Sequence, residues 1–217
     1  VATSLTTIVF TSLSSARSHH KRDAVDVTLL RTWGIPIFVG VVCGTVIAGL
    51  VNGLVLTVVF ATVALLVALN MVFRANGTAL SDGFPNGIVK AVCGYVVGLI
   101  STMMGIGGGT LSVPILTTFG YDIRRAVGTA SAIGFIIAIP GTIGYAIAGW
   151  NEPDLPAGSL GYVNLLALVA LAPLTMLIAP WGARVAHRVD RKVLGYAFAA
   201  FLLLTALRMF ADIWQHL

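Results

Sequence analysis

A chain of 217 residues in which 58% are hydrophobic and 10% charged falls outside ordinary soluble domains, where about a quarter of residues carry charge. Its mean hydropathy of +0.97 and its apolar runs predict an all-α, polytopic transmembrane helix bundle with no appended soluble domain. The net charge of +5 does not point to nucleic acid, because the basic residues fall in short segments between the runs, where they report topology instead.

Membrane spans are predicted over 1–15, 33–50, 54–73, 88–104, 126–150, 161–179 and 193–210, several of them reaching the roughly 20 apolar residues that cross a bilayer. The first is rich in hydroxyls: Thr3, Ser4, Thr6, Thr7, Thr11, Ser12, Ser14 and Ser15. It opens inside an apolar helix, so the chain reads as truncated at its N-terminus. Arg17, Lys21, Arg22 and Arg31 follow and place that loop in the cytoplasm. The second span runs outward with Gly40-x3-Gly44, a spacing that favours helix contact. The third returns to Arg74 and Lys90, and the fourth carries Gly94-x3-Gly98. Cys43 and Cys93 lie inside spans and read as small apolar fillers.

The next segment is the most informative. In Gly105-Ile106-Gly107-Gly108-Gly109-Thr110, four glycines in five positions cannot continue a helix. Irregular backbone survives in a membrane only where protein buries it or it lines a watery cavity, and broken helices of this kind hold the substrate in secondary transporters. The stretch 111–121 is only about 16 Å long as a helix, short of the roughly 30 Å hydrocarbon core. It reads as a re-entrant half-helix capped by Thr110 or Ser112, with Pro114 in or near its first turn. Its free N–H groups and dipole would face the break, where glycines let an anion approach the backbone.

Arg124 and Arg125 then belong inside, which makes 88–125 a hairpin. The span 126–150 holds Thr129, Ser131 and Thr142, and Pro140-Gly141 is expected to kink or break it. The acidic loop Asn151-Glu152-Pro153-Asp154 lies outside. Arg184, Arg188, Arg191 and Lys192 lie inside, and the last span runs outward. Of the 13 Lys and Arg residues only Arg208 falls outside, where it can snorkel or pair with Asp212.

Two halves emerge. Residues 1–5 match 127–131 at one offset. Residues 63–72 match 201–210 at another, with Leu65, Leu66, Ala68, Leu69 and Met71 identical to their partners, and Gly44 keeps that second offset to Gly182. An insertion near 151–162 accounts for the difference. Corresponding spans run in opposite directions, so the chain reads as one membrane domain of two inverted-topology repeats, 1–87 and 88–217. The first half has no counterpart of 88–125; its glycine hairpin is expected upstream of Val1.

All the carboxylates (Asp23, Asp26, Asp82, Asp122, Glu152, Asp154, Asp190 and Asp212) fall in loops or at span ends. Nothing therefore supplies the mid-membrane carboxylate that proton relays and sodium sites usually need. His19, His20, His187 and His216 sit in loops or at ends and are expected to be solvated. No catalytic triad, metal motif or nucleotide loop is visible, so no enzyme, metal or cofactor is expected.

Gly94-x3-Gly98, Gly105-x-Gly107-Gly108-Gly109, Pro114-x-Leu116 and Val127-Gly128-Thr129-x-Ser131 together resemble the second-half signature of the TauE/SafE family. The stretch from Val1-Ala2-Thr3-Ser4-Leu5 to Ser12-x-Ser14-Ser15 is similar to part of that family's first repeat. The absent first glycine hairpin is a departure. The resemblance implies a multi-pass permease of the cell inner membrane for sulfite or an organosulfonate such as sulfoacetate, working by alternating access. The expected substrate-binding residues are Gly105, Gly107, Gly108, Gly109, Thr110, Pro114, Thr129, Ser131, Thr3 and Ser4. The partners implied are a small anion and the lipid bilayer, with no nucleic acid. Two alternatives stay open: a permease for another solute such as thiosulfate or a thiol compound, and a non-transporting membrane scaffold. Transport direction, energy source and oligomeric state are not legible.

Overall fold

A computed structural model describes residues 1–73, 83–84, 86–153 and 155–215. Eight helices follow one another: α1 (Ala2–His20), α2 (Val27–Leu50), α3 (Gly53–Phe73), α4 (Gly87–Met104), α5 (Gly109–Thr118), α6 (Ile123–Ala148), α7 (Leu165–Arg188) and α8 (Arg191–Gln215). Arg74 and Asp82 lie outside the described residues, as do Asp154 and His216.

Most helix starts are set by Asx caps. The side chains of Asp26, Asn52, Asn86, Asp122, Asn164 and Asp190 accept backbone N–H bonds at the starts of α2, α3, α4, α6, α7 and α8. Each satisfies a donor that the helix itself cannot. Among the described residues, six helices are long and apolar enough to cross a membrane: α2, α3, α4, α6, α7 and α8. α1 is not one of them, because its hydroxyls dilute it. Thr6, Thr7 and Thr11 spend theirs on the carbonyls one turn earlier, and α1 packs between α6 and α7.

α1 packs on α6, α3 packs on α8, α1 also meets α7, and α2 also meets α6; on the two-repeat reading these contacts are images of one another. One large contact has no such image: α4 packs along α2. There the glycines permit backbone contact. A Cβ at Gly40 would overlap the Tyr95 carbonyl, one at Gly98 the Ile37 carbonyl, and one at Gly44 would lie 2.5 Å from the Leu99 oxygen.

Three expectations are corrected. α6 is not broken at Pro140 but stays helical over Ile123–Ala148; one proline removes only one internal hydrogen bond, and α6 packs on α1 and α2. The loop after α6 forms a small antiparallel hairpin, β1 (Ser159–Leu160) with β2 (Val163–Asn164), turned by Gly161 at φ +55°. Arg208 makes no ion pair with Asp212; among the described residues the ion pairs are Arg125–Asp26 and Arg191–Asp122.

Candidate anion site at the glycine break

α4 stops because Gly105 takes the left-handed conformation (φ 68°, ψ 28°) and its N–H turns back to Ser101 and Thr102 carbonyls. The Ile106 N–H also returns to Ser101 O, closing the helix as a glycine C-cap does. The turn is seated against the start of α1: a Cβ on Gly105 would lie 2.7 Å from the Val1 Cα, and Ser4 Oγ donates to Gly105 O at 2.8 Å.

α6 serves as a ruler for depth. Tyr145, near its outer end, donates its hydroxyl to Thr102 O, so α4 rises almost the full height. The chain then descends, and a Cβ on Gly108 would lie 2.6 Å from Ile133 Cγ2 and 3.1 Å from Ile137 Cδ1, halfway along α6. From there α5, 10 residues long, returns to the side it left, where Phe119 O accepts the Gly83 N–H and the Phe84 and Phe119 rings lie 4.4 Å apart. The re-entrant half-helix of the sequence is therefore present.

The N-cap of α5 is Gly108, and no side chain caps it. Neither Thr110 nor Ser112 takes that role: both lie inside the helix, and their hydroxyls are buried without a partner. The first amides, Gly109, Thr110 and Leu111, have no intrahelical acceptor. Ser101 Oγ and Thr142 Oγ1 are likewise buried and unpartnered. Ser101 belongs to the turn that closes α4, and neighbouring Thr102 Cγ2 lies near Gly141 of α6. Pro114 is the sixth residue of α5 rather than a first-turn residue, so it withholds the N–H that Thr110 O would otherwise receive. Unpaired polar groups cost free energy in a membrane interior, and two of these, Thr110 and Ser112, lie in the first turn of α5.

The glycines divide by surroundings. Gly105 and Gly108 are tightly packed, Gly107 would bring a Cβ within 3.1 Å of Ile8, and Gly109 faces open space, with nothing within 4 Å of its would-be Cβ. No Lys or Arg belongs to α4's last turn or to α5, so the positive field there comes from the helix terminus.

The other expected site residues are used differently. Thr129 is fully buried and its Oγ1 accepts the Asp26 N–H at 2.9 Å, and Gly128 lets the Ala24 backbone press on α6. The motif Val127-Gly128-Thr129 thus seats the α1–α2 turn. Ser131 donates to Gly128 O. Thr3 Oγ1 accepts the Asn164 N–H, and Ser4 lies on the rim of the break. Ser101 escaped the sequence reading; its only signal was a hydroxyl one turn before Gly105. A separate depression of about 450 Å³, lined by Leu54, Thr57, Met209, Asp212 and Ile213, belongs to α3 and α8 and not to the break.

A network ties the basic side. Asp26 takes Arg125 at 3.1 Å and the Tyr121 hydroxyl at 3.3 Å; burial, followed by the nearby Asp26 charge, raises the Tyr121 pKa. Arg124 donates to Val189 O, and Arg191 pairs with Asp122 at 2.7 Å.

Comparison with known proteins places the chain among membrane transporters. Residues 1–209 match the family described as sulfite exporter TauE/SafE. A probable membrane transporter protein of Haemophilus influenzae is 29% identical over 211 residues, 97% of this chain and 80% of that protein. The probable membrane transporter protein YunE of Bacillus subtilis is 24% identical over 214 residues, 89% of this chain and 74% of its own. A probable membrane transporter protein of Methanocaldococcus jannaschii, MJ0441, is 32% identical over 84 residues, 38% of this chain and 30% of its own. No solved structure matches.

Proposed function

Because this chain belongs to the TauE/SafE family and is a multi-pass membrane transporter, we propose that it moves a small oxyanion, sulfite or an organosulfonate, and that the anion binds at the start of α5. One observation carries the reading: a helix N-terminus halfway through the bundle has no side-chain cap, while the hydroxyls of Ser101, Thr110 and Ser112 are buried without partners. An oxyanion supplies acceptors for all of them. Charge-assisted hydrogen bonds contribute about 1.5–3 kcal/mol each, so two or three offset much of the desolvation of one small anion. Gly105, Gly107 and Gly108 shape the loop, Gly109 and Thr110 offer amides, Pro114 stiffens the half-helix, and Ser4 holds the rim. In this reading Thr3, Thr129 and Ser131 act through the backbone they fasten. Alternating access follows from rocking one inverted half on the other.

Gly109 is the position for the test. Gly108→Leu would collide with Ile133, whereas Gly109 has open space in front of it. In proteoliposomes, Gly109→Leu should reduce labelled sulfite uptake at least tenfold while melting stays close to wild type. Counterflow against thiosulfate, sulfoacetate and a thiol would rank the solutes. Undiminished flux in Gly109→Leu would remove the site.

A further inference from the structure

His19 and His187 stand apart from the solvated histidines expected at helix ends. His19, in the last turn of α1, is 2% exposed, and its Nδ1 lies 3.0 Å from Nε2 of His187, in the last turn of α7. The ring centroids are 5.1 Å apart. At that distance one ring donates an N–H to the bare nitrogen of the other, so at least one imidazole is neutral while the contact lasts. The pair joins α1 to α7 on the basic side of the bundle, and on the two-repeat reading these helices belong to different halves. Among the described residues, other polar ties join α1 to α7 and its cap: Ser14 Oγ donates to Met176 O at 2.8 Å, and the Asn164 N–H donates to Thr3 Oγ1.

We propose that His19 and His187 form a proton-binding site whose protonation releases α1 from α7, making the relative position of the two halves sensitive to pH. The charged groups around the pair set the direction. Arg22, from the turn after α1, faces both rings; Arg124 and Asp122, from the start of α6, face His187. Asp122 is already engaged by Arg191, so the local balance is cationic. An added proton on His19 makes an imidazolium beside Arg22 where water barely reaches; on half-buried His187 it stands beside Arg22 and Arg124. Burial first, then His187 and Arg22, push the His19 pKa down to about 4, whereas a ring released to water returns to about 6.5. The separated state therefore binds more protons between pH 6.5 and 4, and the contact loses stability as pH falls through that window. The protein lacks a mid-membrane carboxylate among its described helices, and this pair offers the protonatable group instead.

The test rests on the transporter reading only in its second arm. Nitroxides at Arg17→Cys and Arg188→Cys, on a Cys43→Ala and Cys93→Ala background in nanodiscs, report the distance between the two helix ends. A reversible lengthening of several Å between pH 7.5 and pH 5 is expected, and it should vanish in His19→Asn with His187→Asn. A distance unchanged over that range in the histidine-containing protein overturns the proposal, as does a lengthening that survives in the double variant. In the second arm, sulfite flux should change at least threefold over the same range and lose that dependence in the double variant. Movement without flux at any pH would retire the sulfite reading and leave the proton site standing; flux without movement would do the reverse.

Discussion

α2 and α7 hold equivalent places if the chain is read as two inverted repeats, yet their surfaces differ. Along α2, Gly40 and Gly44 lie against the backbone of α4, and Gly98 answers from the other side. Along α7, Gly182, the counterpart of Gly44, has nothing within 4 Å, and Leu166, Val169, Leu174, Leu177, Ile178 and Trp181 are exposed. Ile178 stands where the pattern of α2 has Gly40. A glycine in a membrane helix thus has no fixed meaning: paired with a small residue opposite, it permits close packing, and otherwise it is a site of low propensity. α7 packs on α1 with Ala172 and Ala183 buried, and it adds a polar tie. Pro180 removes the donor for Met176 O, and Ser14 of α1 supplies the replacement.

The largest effect tests the packed side. Gly44→Leu drives a side chain into the Leu99 backbone, which cannot move without displacing α4. The expected loss is about 3 kcal/mol, the upper end for overpacking, read as a lowered midpoint of thermal unfolding in detergent. A midpoint within a degree of wild type would mean that α2 and α4 are not in register through these glycines. An intermediate effect tests the polar side. Ser14→Ala strands the Met176 carbonyl, at a cost of about 1 kcal/mol. Thr11→Ala removes only a bond to Thr7 O, and should cost less than about 0.5 kcal/mol. Equal losses in the two variants would show that the Ser14 tie is incidental.

The same contrast explains what could be read without coordinates. Helix starts were read from the apolar runs, and α2 begins at Val27 rather than at 33; Asp26, Asn86, Asp122 and Asn164 act locally on the next turn, a signal that went unused. The break was marked because no run of glycines sustains a helix. Pairings across the bundle were another matter. Nothing local says that Gly108 meets Ile133 while Gly109 meets nothing, or that Thr110 and Ser112 lie inside α5 rather than at its cap. Thr129 looked like cavity lining because its hydroxyl recurs near the half-helix; its partner, the Asp26 N–H, lies 103 residues away. His19 sits one turn past the last apolar residues of α1, and only the arrival of α7 buries it.

The smallest effect is the most telling for the repeat. In the chain as it stands, Gly182→Leu should change stability by no more than about 0.5 kcal/mol, as at an exposed position, and replacing glycine inside a helix offsets part of any loss. A loss within about 0.5 kcal/mol leaves this face of α7 without the close packing that Gly40 and Gly44 give α2. A loss of several times that size would show that Gly182 is packed as Gly44 is, and would erase the contrast between the two helices.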